Sequence, residues 1–123
     1  MIEARLTTPA DGAFALTARR FVASTLRILG ADDATVDDAK LAVSELFAAA
    51  LGSGSSETIA VRVTKDGGGA TVEFDGIADL ATGGPAADET EAFARRYRRQ
   101  LLESLFPAME TDERSVRISV PIG

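Results

Sequence analysis

Residues 36–52, VDDAKLAVSELFAAALG, decide the fold. Val36, Ala39, Ala42, Val43, Leu46, Phe47 and Ala50 recur at spacings of three and four, the period of one helix face. Thr35 with Asp38 predicts a start resembling a capping box. Asp37 and Asp38 favour the positive end of the helix dipole, and Gly52 predicts the stop. Glu45 stands near the C-terminal end of this helix. Several nucleotide sites hold a metal and its water with such an acid and a polar partner four residues on. Position 49 is alanine, so the acid is present and its partner is missing.

Outward from this helix the chain punctuates itself clearly. Residues 2–7 alternate apolar and polar and predict a strand ended by Pro9. Asp11 caps a helix predicted to reach Leu29, with Phe14, Ala18, Phe21, Val22, Thr25, Leu26 and Leu29 as its stripe and Gly30 just past its end. After the polar loop 53–56, residues 57–65 alternate, the run DGGG at 66–69 signals a tight turn, and residues 70–75 alternate again. Residues 76–87 are small and poor in large side chains, which predicts the most mobile interior segment. A helix over 88–105 would set Phe93, Tyr97, Leu101 and Leu105 at four-residue steps before Pro107, and residues 114–121 form a last strand. The order β-α-α-β-β-loop-α-β, with one apolar face per strand, predicts an α+β two-layer α/β sandwich. Its sheet is expected to be mixed but mostly antiparallel, with the helices on one face.

Composition removes whole classes of chemistry. With 123 residues the chain forms one domain, 1–123, and 46% hydrophobic content supports a packed core. It has no cysteine and no histidine, which excludes a disulfide frame, a thiolate metal site, a Ser-His-Asp triad and a histidine zinc site. A net charge of -6 argues against general binding to nucleic acid or anionic lipid. No apolar run approaches the roughly 20 residues that span a bilayer. The start MIEARLTTP lacks a signal peptide's basic and apolar regions, so the expected location is cytoplasmic.

The order of elements resembles the histidine-kinase-like (Bergerat, GHKL) ATPase fold. More closely, it resembles the small bacterial anti-sigma-factor serine kinases of the RsbW and SpoIIAB kind. DGAFALTARRFVASTL is similar to their first helix, VDDAKLAVSELFAAA to their second, ETIAVRV and ATVEFDG to their hairpin, and RISVPI to their last strand. The match is most specific over residues 37–50 and weakens after Gly76. It implies transcription regulation, with a sigma factor or an anti-anti-sigma-like protein as partner and a possible homodimer.

Carried over residue by residue, the resemblance is incomplete. It implies that Glu45 polarises an attacking hydroxyl and that the residue at 49 ligates Mg²⁺. Ala49 offers no oxygen to a hard cation. It implies that Asp75 reads adenine, followed by Gly76 and then glycines where this chain has Ile77 and Asp79. A glycine-rich lid is represented only by Gly83, Gly84 and Pro85, and the next helix opens with Asp88, Glu89 and Glu91, which repel phosphate.

Each position also has a plainer reading. Glu45 is a vestigial catalytic acid or a surface acid, and as either its removal should change stability by no more than about 0.5 kcal/mol. Asp75 and Gly76 could simply end a strand. Arg95, Arg96, Tyr97, Arg98 and Arg99 are either a solvated face paired with neighbouring acids or a docking patch for an acidic partner or phosphate, which arginine grips in pairs, with Tyr and Arg the types found at hot spots, and Tyr97 could be core. Asp32, Asp33, Asp37 and Asp38 fit a helix start better than a cation site. The expected function is regulatory protein binding with a degenerate nucleotide site and no cofactor. The alternatives are an active kinase using ATP and Mg²⁺, and a small-molecule sensor with a pocket around Leu41, Ala49 and Ile77.

Overall fold

The long helix starts at Asp32 rather than at Thr35. The Asp32 carboxylate accepts the Thr35 backbone N–H at 2.8 Å, and its carbonyl accepts from Val36 at 3.0 Å. Asp32 thus does what Thr35 was expected to do, because the helix begins about one turn earlier, at Asp33, and the N-cap falls on the residue before it. The computed structural model describes residues 1–53, 57–75, 88–112 and 114–122. Strand β1 is Ile2–Pro9, helix α1 is Ala15–Leu29, helix α2 is Asp33–Ser53, and strands β2 and β3 are Thr58–Asp66 and Gly69–Asp75. Helix α3 is Glu89–Leu105, and strands β4 and β5 are Glu110–Thr111 and Ser115–Pro121.

The five strands form one sheet in the order β1-β2-β3-β5-β4, and every pairing is antiparallel. The helices cover one face, which makes the expected two-layer α/β sandwich. Ile59, Val61 and Val63 of β2, Val72 and Phe74 of β3, and Val116, Ile118 and Val120 of β5 point into the helical layer. They meet Ala18, Val22 and Leu26 of α1 and Val36, Ala39, Val43, Leu46 and Phe47 of α2. At roughly 1.5–3 kcal/mol for each large apolar side chain removed from water, this layer is the main stabilising term.

Turns fall where backbone geometry demands glycine. Gly30 has φ +104° and ends α1, its N–H bonding to the Arg27 carbonyl while the Ala31 N–H reaches Leu26. Gly67 has φ +83° in the two-residue turn joining Asp66 to Gly69, as a type II′ hairpin requires. Gly52 needs no such freedom: α2 runs through it to Ser53, so it does not close the helix as its type predicts.

Three further details differ from the sequence reading. β1 includes Pro9, which pairs with Thr58 at the sheet edge, where proline's missing N–H is tolerated. The short edge strand β4 had no periodic signal, and its link to β5 is held by Asp112, which accepts the Arg114 and Ser115 backbone N–H groups and the Ser115 hydroxyl. The third difference is the inward face of α3. Phe93 and Tyr97 are 64% and 58% exposed, while Leu102 is buried. Four-residue steps drift by about 40° each in a helix of 3.6 residues per turn, so a stripe drawn from Phe93 to Leu105 wraps around the cylinder. The inward positions are instead Glu91, Arg95, Arg98 and Leu102, spaced four, three and four.

Candidate functional site

The inward face of α3 changes character along its length. At its C-terminal end Leu102 is fully buried, Phe106 nearly so, and Leu105 packs against the same core. One turn earlier Arg98 crosses to α2, where its Nε lies 3.3 Å from Oε2 of Glu45. The two side chains retain 23% and 28% of their exposure, so this is a half-shielded ion pair between helices 53 residues apart in sequence. A further turn back, Arg95 donates to Glu91 at 2.6 Å within α3.

Glu45 is therefore held by Arg98 rather than presented as a free carboxylate. Ala49 follows one turn later and is 3% exposed, its methyl group part of the core. Leu41, one turn before Glu45, is exposed. Asp75 ends β3, exposed and paired in register with Ser115. Gly76, Ile77, Asp79 and the rest of 76–87 lie outside the described residues, as does the mobility expected there. Among the described residues no three His, Cys, Asp or Glu side chains gather into a group that could hold a metal ion.

The start of α3 is closed by its own acid. The Asp88 side chain accepts the Glu91 backbone N–H at 2.8 Å, and Glu89 and Glu91 fill the first turn. The N–H groups that would face an anion thus meet a capping carboxylate, with two more carboxylates close by.

The arginine cluster divides. Arg95 pairs with Glu91, Arg98 with Glu45, and Arg99 with Glu103 at 2.9 Å. Arg96 has no carboxylate partner among the described residues, and it is exposed beside exposed Tyr97 and Phe93. The outward surface of α3 is thus Phe93, Arg96 and Tyr97, not a band of four free arginines. Asp32 is a helix cap, as above, and the hydrogen bond from the Thr35 N–H holds its carboxyl below the usual value of 3.8.

The far face of the sheet carries a row of charges that the sequence reading missed. Arg5, Arg62, Glu73, Arg117 and Glu110 stand in register across all five strands. Arg62 bridges Glu3 at 3.9 Å and also bonds Glu73, while Arg117 reaches Glu73 at 3.6 Å and Glu110 at 3.8 Å. The signal was available as one polar residue at each central outward strand position. Only the register, however, aligns them. No protein-family model matches this chain, and no curated protein matches it. No helix among the described residues is long and apolar enough to cross a membrane.

Proposed function

We infer that this chain is a cytoplasmic regulatory protein of the anti-sigma type, acting by protein–protein binding with a degenerate nucleotide site. The observation that carries the reading is the Glu45–Arg98 pair. A carboxylate that must polarise a hydroxyl beside Mg²⁺ has to face substrate and metal. Here it faces a guanidinium fixed by the α3 backbone. The residues present do not fit Mg-ATP in two further respects. Ala49 gives the core a methyl group where a metal needs oxygen, and α3 opens on a carboxylate cap with further acid in its first turn. Metal and positioned charge supply several kcal/mol of transition-state stabilisation, and about 1.36 kcal/mol is tenfold in rate. A chain with neither gains nothing from the remaining acid.

What remains is surface. Phe93, Arg96 and Tyr97 form an exposed stripe of the residue types that anchor interfaces. Phe93 and Tyr97 contribute little to the core that folds the domain. The partner proposed is a sigma factor or an anti-anti-sigma-like protein, and the stripe is the proposed contact. The test is capture from an extract of the source cell with the wild-type chain and with Arg96→Glu/Tyr97→Ser, followed by mass spectrometry. The reading expects a transcription factor or its antagonist to be captured by the wild type and lost with the double variant, both proteins being folded by circular dichroism. Equal capture by both removes α3 as the interface. Capture of no such regulator removes the anti-sigma reading.

A further inference from the structure

A second basic surface lies on the outer side of the helical layer, away from Glu45. Leu16, Arg19, Arg20, Ala23, Ser24 and Arg27 of α1, with Lys40 of α2, line a groove of about 290 Å³. Residues 16, 20, 23 and 27 follow the helical spacing of four, three and four, so one face of α1 forms the wall over roughly 16 Å. Four of the chain's 13 basic residues meet here in a protein whose net charge is -6. Among the described residues no carboxylate lines the groove.

Among the described residues this groove gathers four cations without an acid partner, a state otherwise shared by Lys65, Arg96 and Arg114, which stand on other segments. Arg5, Arg62, Arg95, Arg98, Arg99 and Arg117 each have an acid within 4.0 Å. Arg19, Arg20, Arg27 and Lys40 have none among the described residues, although 19 acids are distributed over the chain. The Arg19 Nε is fully covered and, among the described residues, donates to no protein atom. A covered guanidinium nitrogen without an acceptor costs free energy unless something supplies one. Like charges gathered around one hollow also repel unless an anion sits among them.

Size and chemistry narrow the occupant. A volume near 290 Å³ falls just below the usual range for small-molecule sites, about 300–1,000 Å³, which calls for a compact occupant. Among the described residues Leu16 and Ala23 are its apolar walls, so the site favours charge over hydrophobic area. Arginine forks grip phosphate oxygens in pairs, and the Ser24 hydroxyl adds a donor. We propose that the α1–α2 groove is a binding site for a compact phosphorylated anion carrying two or more phosphoryl groups. Such a ligand balances four cations, as a single orthophosphate does not. The site is separate from the nucleotide pocket of the resembled fold and does not depend on the function inferred above.

The test titrates inorganic pyrophosphate into the intact 123-residue chain by calorimetry, without Mg²⁺, at fixed ionic strength near 0.15 M, with orthophosphate and sulfate as comparison anions. The expected result is saturable pyrophosphate binding at least tenfold tighter than either comparison anion. Arg20→Gln/Arg27→Gln, both exposed positions, should weaken it at least tenfold, whereas Arg96→Gln should leave it unchanged. The wild-type thermal midpoint should also rise with pyrophosphate, and the double variant's should not. No saturable binding up to millimolar pyrophosphate overturns the proposal, as does equal affinity in the double variant. A poly-glutamate peptide that binds the wild type more tightly than pyrophosphate also overturns it, in favour of docking by an acidic protein segment.

Discussion

Removing Glu45 should cost stability through one identifiable contact. Its carboxylate lies 3.3 Å from the Arg98 Nε, and both side chains are about three-quarters covered. Two unit charges about 4 Å apart attract by about 4 kcal/mol at an effective dielectric constant near 20. Against this stand partial desolvation and the fixing of two long side chains, each losing up to about 1.5–2 kcal/mol of rotamer freedom. The residue is near 1 kcal/mol, the upper end for exposed pairs. A double-mutant cycle with Glu45→Gln and Arg98→Gln, read by urea unfolding, isolates it from the other contacts of each residue. The coupling should be about 1 kcal/mol at 0.1 M salt and should shrink at 1 M, where the screening length falls to about 3 Å. A coupling indistinguishable from zero would refute the tether, and one unchanged by salt would refute its ionic nature.

Other outcomes follow from packing and capping. Leu102→Ala should destabilise by about 2–4 kcal/mol, because Leu102 is the one fully buried side chain of α3, whereas Phe93→Ser should stay within about 0.5 kcal/mol in the same unfolding assay. Gly30→Ala should cost roughly 1–2 kcal/mol, since φ +104° places any Cβ in strain, and a neutral result by thermal unfolding would contradict that. Acid unfolding should have a defined sign. Hydrogen bonds from the Arg114 and Ser115 N–H groups and the Ser115 hydroxyl lower the Asp112 carboxyl below 3.8, and Asp32 is lowered likewise by its bonds to Thr35. Their contributions are therefore complete above the ordinary carboxylate range and are lost as pH falls through the lowered values. Asp112→Ala should flatten the stability profile below about pH 4.

The sandwich was legible because β2, β3, β5 and both N-terminal helices bury a single periodic face. Val61, Val63, Val72 and Phe74 alternate, and Val36 through Phe47 repeat at three and four, so each element announced its inner side. α3 was not legible in this way. Its inward face mixes Glu91, Arg95 and Arg98 with Leu102, and its aromatics point outward, so hydrophobic spacing traced the wrong stripe. Glu45 was visible as a residue out of place. Its partner was not, because Arg98 is 53 positions away and only packing brings the helices together. That Arg19, Arg20 and Arg27 have no acid partner among the described residues was equally hidden, since pairing is a property of neighbours in space.

Glu45 belongs to a joint between α2 and α3, and a joint of this kind should leave it no part in nucleotide binding. Calorimetric titration of the intact chain with ATP and Mg²⁺ tests it most directly. The account predicts no saturable heat that Glu45→Gln or Asp75→Asn removes, up to millimolar ATP. A micromolar dissociation constant that is lost with either substitution would contradict it.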